Sequence, residues 1–207
     1  VLTGAEIPQD VRDADVGIRR FEMQRRAAPG NVRLIPEIDS AAGVAALPAM
    51  LRAVDRHSAV ALNVDGLRTD LGLGGLSGLD GLNGANDPAG GPAIDHAMWE
   101  VALASRDAGL PWVVAAPAAS AEERARLAAR AREFGAAGAC VASEAEIRGL
   151  NALFTPGAAA VEAARTTIAE WDDARSHGRP PRDRRALRRA QLLMAQVEAI
   201  ERRERVR

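Results

Sequence analysis

An α/β fold built on a parallel sheet or barrel is what the order of apolar runs predicts. Residues 32–39 (VRLIPEID), 58–64 (SAVALNV), 112–116 (WVVAA) and 137–141 (AGACV) read as strands, with helical patterns near 8–27, 43–56, 92–108 and 120–134. Repeated strand-then-helix order makes the helices crossovers and the strands parallel. The 207 residues suffice for one large domain or most of an α/β barrel. Strand signals stop after Phe154, and 157–175 and 182–205 read as two helices joined by SHGRPP. The division expected is therefore 1–154 for the sheet-bearing domain and 155–207 for a helical extension.

Several element ends are marked. Val1-Leu2 reads as the stub of a further strand, and a chain that begins with Val inside "VLTGAE" is expected to be the later part of a longer protein or a processed one. Ser120 with Glu123, and Ser143 with Glu146, have capping-box spacing. Thr155-Pro156 places a cap before a proline at the first helical position. In the last helix Leu187, Ala190, Leu193, Met194, Val197 and Ile200 share one face and Arg fills much of the other. That pattern fits a docked apolar stripe with a solvated back, or an arm reaching a neighbouring subunit. Residues 71–91 form a long Gly-rich stretch without a complete G-x-G-x-x-G, because Ser77 stands where the third glycine belongs. A lid containing Gly72, Gly74 and Gly75 is the expectation, since long loops in compact domains are usually functional.

Composition narrows the function. Aromatics are 3% with no Tyr, so bases have few stacking platforms, and a net charge of −1 gives no general attraction to nucleic acid or membrane. No run of about 18 apolar residues and no signal-peptide pattern occurs, which predicts a cytoplasmic protein. The single Cys140 excludes an internal disulfide and a C-x-x-C motif; lying in a predicted strand, it is expected to be inert packing. All 27 basic residues are Arg. Without lysine there is no Schiff base and no P-loop, so charge developing on a carbonyl must be held by a metal or by Arg. Of the three histidines, His57 and His177 read as surface residues. His96, opening a helix after the Gly-rich stretch, is the one candidate acid or base.

Four segments carry a resemblance. Ile38-Asp39-Ser40-Ala41-Ala42-Gly43 follows a strand, and Asn63-Val64-Asp65-Gly66-Leu67-Arg68-Thr69-Asp70-Leu71-Gly72 ends the next. Later come ASRDAGLPWV and AREFGAAGACVASEAEIRGLNALFTPG. In order and spacing these resemble the C-terminal part of the HpcH/HpaI aldolase and citrate lyase β-subunit family. The resemblance implies a TIM-type (β/α)8 barrel of which this chain supplies about the last five strands. It implies carbon–carbon bond making or breaking on a short oxo-acid or acyl-CoA thioester with Mg²⁺, and assembly as a homo-oligomer.

The chain departs from the family pattern where the metal would sit. Asp39 stands where the family has Glu, shorter by one bond of about 1.5 Å, and Gly66 stands where it has the second ligand, Asp. Thr3-Gly4 replaces Pro-Lys, Gly138-Ala139 replaces Gly-Lys, and Ser143-Glu144-Ala145-Glu146 replaces His-Pro-Ser-Gln. Strand alternation puts Ala59, Ala61, Asn63 and Asp65 on one face and Arg33, Ile35, Glu37 and Asp39 on another. Two readings result. In one, Asp39 and Asp65, aided by Glu37, form a shifted Mg²⁺ site. In the other, Asp65-Gly66 is a turn, Asp39 a helix cap and Glu37 a partner of Arg33, and the protein keeps the family fold as a non-catalytic scaffold or ligand binder.

Overall fold

Four short strands, each followed by a helix, make one parallel sheet in the computed structural model, which describes residues 1–73, 91–178 and 183–204. In chain order the elements are α1 (Pro8–Gln24), β1 (Glu37–Ile38), α2 (Ala41–Leu51), β2 (Val60–Asn63), α3 (Val64–Asp70), α4 (Gly91–Asp107), β3 (Trp112–Ala115), α5 (Ala121–Glu133), β4 (Gly138–Ala139), α6 (Glu144–Phe154), α7 (Ala158–Ser176) and α8 (Arg184–Glu204). The sheet order is β1-β2-β3-β4. Leu2 adds a parallel bridge to Pro36, a fifth strand position beside β1. Chain contacts divide the molecule into two units, Val1–Leu153 and Phe154–Arg207.

Register explains the core. Ile38, Leu62 and Val114 are successive partners across the sheet and lie on its buried face. Leu47 and Met50 of α2, Ile94, Met98 and Val101 of α4, and Leu127 and Ala131 of α5 are buried with them. Removing these side chains from water supplies the main drive for folding. Glu37, Asn63 and Val113 alternate onto the other face and are only half-buried.

Strands are shorter and helices more numerous than the apolar runs suggest. The predicted strand 32–39 pairs continuously only over Glu37–Ile38, with an isolated bridge from Leu34 to His57. The strand predicted to run through Val64 stops at Asn63, and α3 begins at once. Ser120 and Glu123 form the expected reciprocal cap on α5. Thr155-Pro156 does not start α7; Gly157 precedes its first residue, without a side-chain cap. In the second unit α7 and α8 form a helical hairpin in which Ala164 and Ala190 are buried and Trp171 donates to the Asp183 carbonyl at 3.3 Å.

His57 is a correction: it is buried, not on the surface. Its Nε2 lies 3.2 Å from the Met50 carbonyl oxygen, and burial pushes its pKa down. The chain before β2 is buried because Arg56 is anchored there, 4% exposed. Its guanidinium meets Asp15 and Glu22 of α1, the latter at 3.3 Å, and donates to the Val32 carbonyl at 2.6 Å. Glu22 also accepts from the backbone N–H of Val32 at 2.9 Å and of Gly30 at 3.2 Å. Led by the Val32 hydrogen bond and then Arg56, these contacts hold Glu22 down to about 2.

A buried cation with two acids is held by its partners, and losing one strands the others. Arg56→Leu is expected to destabilise the protein by about 3–5 kcal/mol, measured by urea denaturation at neutral pH. Because the folded pKa of Glu22 is depressed, its contribution is complete above the ordinary value of 4.5 and is lost as pH falls towards about 2. An acid titration followed by circular dichroism should show stability falling through that window, and Glu22→Gln should flatten the slope.

Candidate active site at the strand ends

Three acidic side chains stand at the carboxyl end of the sheet, each placed by a different local rule. Glu37 lies in β1 on the half-buried face, and its Oε1 accepts from the Asn63 side-chain amide at 2.8 Å. The partner of Glu37 is therefore Asn63, brought alongside by the β1–β2 register, and not the Arg33 that strand spacing suggests. Asp39 follows β1 and precedes Ser40, which caps α2 by accepting from the Gly43 N–H at 3.1 Å. The helix cap is thus Ser40, and Asp39 is left half-exposed at the strand end. Partial burial raises the pKa of Asp39 and the carboxylate of Glu37 raises it further; its own N–H lowers it, Glu6 raises it again, and the Gly4 N–H lowers it least. That strand end is crowded with negative charge.

Asp65 corrects the alternation argument. It is in the first turn of α3, so strand periodicity does not orient it. Asn63 causes this: its Oδ1 accepts from the Gly66 N–H at 3.1 Å, starting the helix on the last strand residue. Asp65 Oδ2 accepts from the Ala118 N–H at 2.7 Å, tying α3 to the segment after β3. Gly66 sits against Asp39, and a Cβ built on it would lie 2.6 Å from the Asp39 Cβ. Asp39 thus occupies the space that a side chain at position 66 would need.

Other candidates stand apart. The His96 ring is 76% exposed on α4 with Glu100 as its neighbour at 4.0 Å. Gly72 has φ +67, a left-handed turn suited to glycine, whereas Gly74 and Gly75 lie outside the described residues. Cys140 is not packed within a strand: it is exposed just past β4, and partial desolvation, then Glu37, raise its pKa. His177 is exposed at the end of α7 beside Asp173. Among the described residues no group of three or more His, Cys, Asp or Glu is arranged to hold a metal ion.

The reading of apolar runs and motifs misses both the role of Asn63 and the Arg124–Glu146 pair. Arg124 bonds Glu146 through two nitrogens at 2.7 and 2.9 Å and donates to the Ala119 carbonyl. Arg124 and then Ser143 hold Glu146 down to about 2. Ser143 and Glu146 do meet at 2.8 Å, but Glu146 mainly serves Arg124. An Asn three residues before a glycine was the available signal for the α3 cap. The Arg124–Glu146 pair spans 22 positions and had none.

With this geometry in place, the sequence profile of the HpcH/HpaI aldolase/citrate lyase family matches residues 4–144. The chain belongs to that family. Among solved structures, a citrate lyase from Burkholderia xenovorans LB400 aligns with TM-score 0.73 at 17% identity, over 96% of this chain and 63% of that one. CitE from Mycobacterium tuberculosis, in complex with magnesium, acetoacetate and coenzyme A, gives 0.62 at 16% identity, over 94% and 68%. RipC from Yersinia pestis gives 0.57 at 21% identity, over 76% and 63%. The chain therefore spans under two thirds of the length of RipC and of the Burkholderia citrate lyase. No curated protein matches the chain. These likenesses establish the fold: the parallel strands and their helices are part of a TIM-type barrel wall, with further helices after it.

Because a Cβ at position 66 would meet Asp39, Gly66→Ala is expected to cost about 1–3 kcal/mol through overpacking. Gly66→Asp, which restores the residue type that the family resemblance places there, should cost more and displace Asp39. Thermal melts of both variants check this, and wild-type stability in either would contradict it.

Proposed function

We propose that the protein is a carbon–carbon lyase of the citrate lyase and HpcH/HpaI aldolase type, acting with Mg²⁺ on a short oxo-acid or an acyl-CoA thioester. One observation carries the reading within this family: the charge-crowded carboxyl group of Asp39, raised by burial and by Glu37 and Glu6 at a strand end. Such a group is relieved by a cation. Mg²⁺ is commonly held by one or two carboxylates while keeping several waters, so a closed protein cage is not required. The residues present fit on those terms. Asp39 would be the main ligand, with Glu37 in support and Asp65 offering the oxygen that Ala118 leaves free. Bound there, Mg²⁺ would act as a Lewis acid on the substrate's carbonyl oxygen.

The chain's own residues supply orientation. Asn63 holds Glu37 by its amide while its carbonyl caps α3, fixing two strand ends together. Asp65 fixes the segment after β3. No lysine lies within the chain to form a Schiff base, consistent with chemistry that depends on a metal. His96, exposed on α4 beside Glu100, is given no step in this reading. The same reading has the protein working as a cytoplasmic homo-oligomer, supported by Phe21 and Met23 of α1 and Trp99 and Leu103 of α4, which stand at least half exposed. No helix among the described residues is long and apolar enough to cross a membrane.

Mg²⁺ titration by calorimetry, with a cleavage assay on oxo-acid and acyl-CoA substrates, tests the proposal. Asp39→Asn should abolish Mg²⁺ binding and lower kcat/KM by at least about 10²-fold. The sign of the Asp39 shift gives two further outcomes. Mg²⁺ affinity should fall with pH through a range above the usual Asp value, as protons compete. Asp39→Asn should also raise the melting temperature at neutral pH, because it removes a carboxylate whose charged form the fold disfavours. Wild-type protein that binds no Mg²⁺ would leave the non-catalytic reading.

A further inference from the structure

Asp70 has no part in the chemistry proposed above, yet it is bonded to the backbone beside the proposed ligand. Its Oδ2 accepts from the Ala41 N–H at 2.7 Å across 29 sequence positions. Ala41 is the first residue of α2, two positions after Asp39. Four residues before Asp70, and so on the same side of α3, Gly66 lies against Asp39 itself. Residues 39–41 are thus gripped at two points by one helix, at the place where β1 has ended and the α2 ladder has not begun. The Asp39 carboxylate also takes bonds from its own N–H and that of Gly4, and α3 holds the backbone on either side of it.

The first turn of a helix leaves N–H groups without intrahelical acceptors, and a carboxylate there is favoured by both hydrogen bonding and the helix dipole. In α2 the Gly43 N–H goes to Ser40 and the Ala41 N–H goes to Asp70. A local side chain therefore makes one of these bonds and a distant element makes the other. The distant bond has a directional consequence that a local cap lacks, since it ties the start of α2 to α3.

We propose that Asp70 is a positioning residue for Asp39: by anchoring the Ala41 N–H it holds residues 39–41 against α3 and fixes the direction of the Asp39 carboxylate. The proposal deepens the reading of Asp39 as a Mg²⁺ ligand and rests on it for its functional meaning. Asp70→Asn keeps an oxygen acceptor and loses the charge, whereas Asp70→Ala loses both.

Two measurements on the protein test it. Side-chain χ1 couplings of Asp39, from NMR without metal, should report one rotamer in wild type and Asp70→Asn and averaging in Asp70→Ala. Calorimetry with Mg²⁺ alone should show a loss of about 10-fold or more for Asp70→Ala, the range seen when an outer residue orienting a ligand is removed, with Asp70→Asn close to wild type. Averaged couplings in wild type, or an Asp70→Ala protein that melts lower but keeps both the wild-type rotamer and Mg²⁺ affinity, would overturn it and leave Asp70 as an ordinary cap. A wild type that binds no Mg²⁺ would remove the metal reading alone, and the χ1 couplings would still decide the anchor.

Discussion

The carboxyl end of this sheet depends on the close approach of Gly66 to Asp39. Gly66 is in the first turn of α3, and no side chain fits between its backbone and the Asp39 Cβ. That approach is possible because Asn63 ends β2 and caps α3 in the same residue, leaving no loop between strand and helix. The helix then reaches in both directions along the strand ends, with Asp70 bonded to the start of α2 and Asp65 to the segment before α5. Acids within a few residues of one another on α3 are thereby used as clasps on backbone N–H groups. Asp39, by contrast, is left among carboxylates of like sign, with only its own N–H and that of Gly4 easing its charge.

The opposite end of the sheet solves a similar electrostatic problem differently. Arg56 is surrounded by Asp15, Glu22 and the Val32 carbonyl before β2 begins. Its acids are satisfied from several sides, so Glu22 is held strongly ionised. At the Asp39 end the neighbouring charges are of like sign and no cationic side chain is among the causes that set its pKa. One end is a closed ion cluster that secures α1. The other gathers carboxylates of like sign around Asp39. That contrast is the reason to look for a cation at the second and not at the first.

Much of the molecule was legible in the order of apolar runs, and the failures are specific. Strand-then-helix alternation located all four strands, because a buried parallel strand is a short apolar run whatever surrounds it. The Ser120–Glu123 cap was legible because both partners lie within one turn. The strand at 58–64 was carried too far, since Val64 continues the apolar run while Asn63 already caps a helix; its orientation of Asp65 failed with it. His57 and Arg56 were not legible as buried, because polar residues after a helix normally face water, whereas here Asp15 and Glu22 of α1 meet Arg56 and the Met50 carbonyl meets His57. Glu37 was matched to Arg33 by strand spacing, and it took the register with β2 to bring Asn63 closer.

By itself, then, the sequence determined the fold class, the acids available and the absence of lysine chemistry within the chain, since each of these follows from residue type and local period, and it carried the family in the order of its motifs. Only the tertiary structure decided which acids are free. Asp65 and Asp70 are engaged by N–H groups 53 and 29 positions away, and Asp39 is left charged beside Glu37 and Glu6. Hydrogen bonds between distant segments leave no periodic trace in a sequence, so a carboxylate that clasps a distant backbone N–H and one left among like charges look the same until the chain is folded.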